Sequence, residues 1–308
     1  MLSKLFGSTK GESVKGLVPL PDALRQSILA SLGNNAIPSM PKAAYQAFQL
    51  ATNPNAEALD YIEVLEADEG LAARVLKIAN SVFYDRGGGS KTILDAVKVI
   101  GTSELKGLLN ATALAGLFPV KHPLRAQFWA HNIASALTAR LLSKLLLPSQ
   151  TDQAFLGGLM HDVGKLLLLQ KHTDIYERLY RKGLSSDLDS ISSESAEYPF
   201  NHTHVGQAVG ERWNFSAELI DIIRNHHEPW QNIPAKSLIG IVKASSVISH
   251  VLGLGAARDA YPLRRIYEPL LAECFESLGI HSSNQQSLLR EAELLFNSEF
   301  ELYESWGR

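Results

Sequence analysis

The feature that most constrains this chain is the spacing of its apolar residues. From about residue 20 onward they recur at intervals of three and four, never in sustained alternation. A period near 3.6 puts such residues on one face of a helix, whereas a half-buried strand needs a period of two. Ala44, Phe48 and Ala51 share a face between Pro41 and Thr52. Leu59, Ile62 and Leu65 continue the spacing, as do Leu71, Val75, Ile78 and Ala79. Residues 95–100, 105–117, 124–147 and 154–170 repeat it. The segments stop at Asn53-Pro54, Gly87-Gly88-Gly89, Pro119, Pro148-Ser149, Pro199, Pro229 and Pro234, where helices are expected to end. No alternating pair is joined by a hairpin turn. The chain therefore reads as all-α.

Composition narrows the function classes. The 308 residues are 45% apolar and 20% charged, which is globular and long enough for one large domain or two smaller ones. With 29 basic against 32 acidic residues the net charge is −3, so no nucleic-acid partner is expected, although a local basic patch is compatible with it. A single cysteine, Cys274, rules out a disulfide scaffold and a zinc site built on several thiolates, and it fits a reducing compartment. Met1 to Gly7 lacks the apolar core of a signal peptide. The longest weakly polar stretch, Leu238 to Ala257, contains Lys243 and His250 and reads as a buried helix rather than a membrane span. A cytoplasmic location is the expectation.

Four stretches follow from this pass. Residues 1–20 read as a flexible leader rich in Ser, Thr, Lys and Gly. Residues 21–118 form an N-terminal helical lobe without histidine, in which the Gly87–Gly89 run reads as a mobile loop. Residues 119–255 form a second helical lobe rich in histidine. Residues 256–308 are read as C-terminal helices packing back on the body, amphipathic through Leu288, Leu289, Ala292, Leu295 and Phe296.

The strongest local signal is Leu156-Gly157-Gly158-Leu159-Met160-His161-Asp162-Val163-Gly164-Lys165. On one continuous helix His161 and Asp162 would diverge by about 100°, and Lys165 would follow His161 by one turn. An imidazole, a carboxylate and an ammonium in one pocket suit a metal ion plus a phosphate, and the His/carboxylate mixture favours Fe, Mn, Zn or Mg. His131 lies on an inward stripe with Phe128, Ser135, Thr138 and Leu142. His202 precedes Val205, Gly206, Val209 and Gly210, and His226-His227-Glu228 ends a helix that Ser216 can cap and Pro229 stops. Each histidine alone also has a structural explanation, as a satisfied buried polar group or as a helix C-terminal residue. Spacing does not show that they meet.

The order His131, His161-Asp162, His202, His226-His227 resembles the HD superfamily of metal-dependent phosphohydrolases. Ile37-Pro38-Ser39-Met40-Pro41, Asp68-Glu69-Gly70-Leu71, Arg74-Val75-Leu76-Lys77-Ile78-Ala79-Asn80-Ser81 and Ala96-Val97-Lys98-Val99-Ile100-Gly101 narrow the resemblance to the HDOD domain, the signalling branch of that superfamily. It covers roughly residues 30 to 250. It implies a two-lobed helical architecture with an HD-type core, and a bacterial signal-transduction or regulatory protein. Residue by residue it implies metal ligands at His131, His161, Asp162, His202, His226 and His227, for one or two divalent ions. It implies a phosphate contact at Lys165. If the centre is active, Lys165 and Asp162 would be the catalytic pair.

Two departures matter. HD enzymes close their metal set with an aspartate on a later helix; here Ile241-Val242-Lys243-Ala244-Ser245-Ser246 places Ser246 at that position. A neutral hydroxyl is a much poorer ligand for a hard cation than a carboxylate. The Gly-Tyr-Pro signature of the cyclic di-GMP hydrolases is also absent, Pro229-Trp230-Gln231 standing after the His-His-Glu run. Three readings stay open: a regulatory module with a degenerate metal pocket, a metal-dependent phosphohydrolase acting on a nucleotide or phosphodiester, and a structural histidine cluster. The partners expected are signalling proteins or a small phosphorylated or nucleotide ligand. The sequence leaves the oligomeric state undetermined.

Overall fold

In a computed structural model of the protein, the described residues are 18–53, 55–85, 87–119, 121–186, 190–234, 236–254 and 261–304. Most of the leader, residues 1–17, lies outside them. Among the described residues there is no strand. The first lobe contains α1 (Asp22–Leu32), α2 (Lys42–Thr52), α3 (Ala58–Glu66), α4 (Glu69–Ala79), α5 (Ile93–Ile100) and α6 (Thr102–Leu117). The second contains α7 (Pro123–Leu146), α8 (Thr151–Met160), α9 (Val163–Lys171), α10 (Thr173–Ser186), α11 (Ser190–Ser195), α12 (His202–Arg212), α13 (Ala217–Asn225) and α14 (Leu238–Leu252). Helices α15 (Tyr261–Ser277) and α16 (Ser282–Glu304) follow.

Local chemistry sets the helix starts. Asp68 accepts from Leu71 N at the head of α4, and Thr92 with Asp95 closes a capping box on α5. Ser216 caps α13 through Leu219 N, and Ser237 caps α14 through Gly240 N. Pro123 supplies the first residue of α7, where a missing N–H costs nothing.

Helix α7 is the axis of the molecule. It is buried almost without interruption from Phe128 to Ser143, so its polar residues His131, Asn132, Ser135, Thr138 and Arg140 lie inside with its apolar ones. Helices α8, α14 and α16 pack along it. Gly158 lets α8 approach closely: a Cβ there would stand 2.7 Å from Ala136 Cα and 2.7 Å from Ser135 O. Gly164 does the same for α9 against α12, where a Cβ would stand 2.0 Å from His202 O. Two glycines that hold backbones together thus bracket His161-Asp162.

The two lobes share one core. A single apolar cluster runs from Phe48, Leu65, Leu108 and Leu114 to Leu137, Phe155, Val209 and Phe215, crossing residues 118–119 without a seam. A second cluster joins α14 to α15 and α16 through Ile241, Ile248, Phe275 and Leu288. Arg140, 2% exposed, donates to Glu104 of α6 at 2.7 Å and to Glu299 of α16 at 2.6 Å. Trp129 Nε1 donates to Tyr303 O at 3.1 Å. Helix α16 is thereby fastened to both lobes.

Two loop expectations change. Leu20, assigned to the leader by sequence, is buried; its N–H donates to Glu211, and Val18 O accepts from Gln207, so residues 18–20 are docked on α12. The Gly87–Gly89 run is pinned: Asp85 Oδ1 accepts from Gly87 N and Gly89 N, and the Asn80 amide bridges Leu76 O and Ser90. The physical reason is local. Asp and Asn side chains bond the backbone of tight turns. Among the described residues no helix is long and apolar enough to cross a membrane.

Candidate metal centre

His161 and Asp162 do not lie on one continuous helix, as their sequence spacing suggested. Helix α8 ends at Met160, α9 begins at Val163, and the pair forms the turn between them. Asp162 has φ −102° and ψ 18°, and Lys165 N bonds Asp162 O in a tight i to i+3 step. The Asp162 side chain turns into the centre of the molecule instead of capping α9.

Around that carboxylate the structure gathers the histidines foreseen from the sequence. His202 Nε2 stands 3.2 Å and His226 Nε2 3.6 Å from Asp162 Oδ1. His161 Nε2 stands 3.4 Å and His131 Nε2 3.9 Å from Oδ2. His227 joins the Oδ1 side: ligand atoms of Asp162, His202, His226 and His227 all lie within 4.8 Å of one another, as do those of His131, His161 and Asp162. His161, Asp162, His202 and His226 are buried, contributed by the α8–α9 turn, α12 and the end of α13.

The hydrogen bonds fix which ring nitrogen faces inward. His161 Nδ1 donates to Gly158 O at 2.7 Å, and His226 Nδ1 donates to Ile223 O at 3.0 Å. His202 Nδ1 donates to Glu194 Oε2 at 2.8 Å. A carbonyl or carboxylate oxygen only accepts, so each Nδ1 carries a proton and each Nε2 is turned toward Asp162; in His161 and His226, whose pKa burial lowers, that Nε2 presents a lone pair. Those three Nε2 atoms and Asp162 Oδ1 are buried and have no hydrogen-bond partner. Burial lowers the His226 pKa to about 3 and holds His131 well below the ordinary imidazole range, where His250 and His161 add to the effect. Burial works to raise Asp162, yet its surroundings, the Lys165 ammonium among them, outweigh it and hold the acid well below the usual carboxylate range.

Neutral imidazole lone pairs therefore converge on a carboxylate with nothing between them, which is costly for buried acceptors. A cation removes the conflict. Ligand-to-ligand separations of about 3.0–3.5 Å are what first-row N/O coordination produces. The residues present fit a divalent metal on chemistry as well as geometry, and the carbonyl or carboxylate behind each imidazole is the usual outer support of a metal-bound histidine.

Two other foreseen residues are placed with consequences. Lys165 Nζ donates to Asp162 Oδ2 at 2.7 Å and is almost wholly buried, so the residue foreseen as a phosphate contact here neutralises the central carboxylate. Ser246 Oγ lies 3.2 Å from His131 Nε2, so the α14 residue aligned with the missing aspartate does face the centre. The remaining histidines divide otherwise. His250 stacks between His131 and Tyr267, with ring centroids 4.0 and 4.1 Å away. His122 caps α7, His204 closes the capping box of α12, and His172 bridges Tyr198 OH and Ser31 O.

One contributor had no sequence signal. Glu194, on the short α11, is 1% exposed and accepts from His202 Nδ1, His202 N and Tyr176 OH, the last at 2.5 Å. It sits in a serine-rich stretch that shows no helical periodicity, and only the tertiary fold brings it behind His202.

Comparison with known proteins bears on the family and the fold. The HDOD domain pattern matches residues 37–229. An uncharacterized protein of Treponema pallidum (strain Nichols) is 23% identical over 196 residues, 62% of this chain and 37% of that one. A candidate signal transduction protein from Marinobacter aquaeolei VT8 superposes with a TM-score of 0.76 at 23% identity, over 93% of this chain and 66% of that one. An HDOD domain protein of unknown function from Geobacter sulfurreducens gives a TM-score of 0.72 at 21% identity, over 92% and 96%. A candidate phosphohydrolase from Shewanella amazonensis SB2B gives 0.67 at 23%, over 89% and 97%. The chain thus spans about a third of the Treponema relative and two thirds of the Marinobacter protein. With the HDOD pattern covering well over half of its length, and an all-helical fold shared with these structures, the chain belongs to the HDOD domain family.

Proposed function

We propose that this chain is a regulatory protein of signal transduction whose His–Asp centre holds a divalent cation, Fe, Mn, Zn or Mg, as one ion or two, without turning over a phosphodiester. The observation that carries this reading is the asymmetry about Asp162. His202 and His226 face its Oδ1, and with His227 they complete a donor set. On its Oδ2 side Lys165 already holds the oxygen at 2.7 Å, and His131 faces the neutral Ser246 hydroxyl. A bound cation supplies positive charge to a buried set of lone pairs. The chain's own residues do the rest: Glu194 and the Ile223 carbonyl orient two imidazoles, and Lys165 fixes the carboxylate. Its partners are signalling proteins or a small phosphorylated ligand. The Marinobacter neighbour's description supports that assignment by analogy of fold alone.

A second reading, a metal-dependent phosphohydrolase acting on a nucleotide or phosphodiester, is favoured by one observation: the two Asp162 oxygens face different histidines, as a carboxylate shared by two ions does. Incubation of the Mn- or Fe-loaded chain with bis(p-nitrophenyl) phosphate separates the readings. The regulatory reading expects no release of nitrophenol above the EDTA-treated chain. It also expects Ser246→Asp, which returns a carboxylate beside His131, to raise the metal bound per chain. Turnover by the unaltered protein that is lost on Asp162→Asn would establish the hydrolase instead.

A further inference from the structure

A second cavity lies away from the His–Asp centre. It has a volume of about 840 Å³ and opens between the C-terminal half of α4, the α6–α7 junction and the last turns of α16. That is within the roughly 300–1,000 Å³ range of small-molecule sites.

Its lining combines two chemistries. Arg74, Lys77, Ile78 and Ser81 follow one another at helical spacing along one face of α4 and its C-terminal turn, and Lys121 meets them from the start of the α7 segment. Among the described residues, the Arg74, Lys77 and Lys121 side chains have no hydrogen-bond, ion-pair or ring partner, in a chain whose net charge is −3. Ser81 Oγ is buried and unpartnered as well. Arg125 is committed elsewhere: its guanidinium donates to Phe118 O at 2.6 Å and Ala115 O at 2.8 Å. It thereby satisfies the carbonyls at the end of α6, whose negative pole would otherwise face the cavity. The lining acid is Glu301.

The other chemistry is apolar and aromatic. Phe83 is 51% exposed and Val82 fully exposed, both at the rim, while Ile78 and Leu302 form the wall. The Phe83 ring lies edge-on to Tyr84, with centroids 4.8 Å apart, and its exposure leaves ring surface open to a ligand. No cation stands over the Phe83 ring among the described contacts, so the exposed ring and the unpaired cations are not accounted for by each other. A ligand with an anionic end and a planar ring would satisfy both.

We propose that this cavity binds a nucleotide, its phosphates held by Arg74, Lys77 and Lys121 and its base stacked on Phe83. Guanidinium and ammonium groups form charge-assisted bonds to phosphate oxygens, and Glu301 accepts from a ribose hydroxyl or a ring amine. The site does not depend on the metal centre, so it stands whichever reading of that centre is right. It also gives a role to Arg74 and Lys77, in a stretch where packing accounts for Val75, Leu76, Ile78 and Ala79 and turn bonding for Asn80.

The test is a titration of the full chain with mant-ATP, followed by fluorescence anisotropy in EDTA so that a chelated metal contributes nothing. Saturable binding is expected. Arg74→Gln with Lys77→Gln, two exposed positions, should weaken it at least about tenfold while leaving metal content unchanged. Lys42→Gln, outside the lining, should leave it unaltered. Phe83→Ala should weaken mant-ATP but not pyrophosphate, measured by competition. Absence of saturable binding by the unaltered chain overturns the proposal, as does binding unaffected by the Arg74/Lys77 variant. Pyrophosphate competing as strongly as ATP would overturn the base contact and with it the nucleotide assignment.

Discussion

A handful of residues decide whether the proposed metal centre can form, and the glycines beside it are as decisive as the candidate ligands. Gly164 touches the His202 carbonyl so closely that a methyl group has no room, because its neighbour there is backbone. Gly164→Ala should destabilise the fold by about 3 kcal/mol or more and displace His202 with it. Gly116→Ala, in α6 with nothing within 4 Å of the added carbon, should be neutral or stabilising by about 0.5–1 kcal/mol. Urea denaturation of both variants checks the contrast. At this scale the sequence nominates residues and says little about direction. His131, His161, Asp162, His202, His226 and His227 could be nominated from pattern and resemblance. Which ring nitrogen faces inward depends on Gly158 O, Ile223 O and Glu194, none of which has a signature of its own.

Among the elements, helices with regular apolar spacing and a punctuated end were legible. The exceptions were places where tertiary chemistry overrides the local pattern. Residues 154–170 keep helical periodicity throughout, yet the ladder breaks at His161-Asp162 because the Asp162 carboxylate is turned to Lys165 and His202. Helix α11 was invisible because its value lies in one buried acid. Glu194→Gln should reduce metal affinity by about 10- to 100-fold, since the amide is a weaker acceptor behind His202 Nδ1. Competition against a fluorescent chelator measures this. The docked segment before α1 supplies a pH dependence. Burial raises the Glu211 pKa, but the Arg25 guanidinium and the Leu20 N–H outweigh it and hold it below the ordinary glutamate range. A depressed folded-state value means that this stabilisation is full above the ordinary value of about 4.3 and is lost as the pH falls through the folded one. Amide exchange at residues 18–25, corrected for intrinsic rates, should rise in that acid window, and Glu211→Gln should make it fast at neutral pH.

For the whole molecule, the all-α reading followed from periodicity alone, while the relation between the lobes did not. Two amphipathic sets of helices can meet across a wet seam or fuse, and spacing does not distinguish the cases. Here Phe48, Leu108, Phe155 and Phe215 belong to one continuous core, and α16 is tied to α6 and α7 through Arg140. The candidate ligands thus come from segments up to 96 residues apart, counting from His131 to His227 (227 − 131), and are held by a single packed body. The account rests on those donors being gathered for a cation. Elemental analysis of the full chain, purified without chelator and again after loading with Fe, Mn or Zn, tests this most directly. At least one equivalent per chain is expected, lost in a folded His226→Ala variant. A chain that remains metal-free after loading, or that binds the ion equally well without His226, would contradict it.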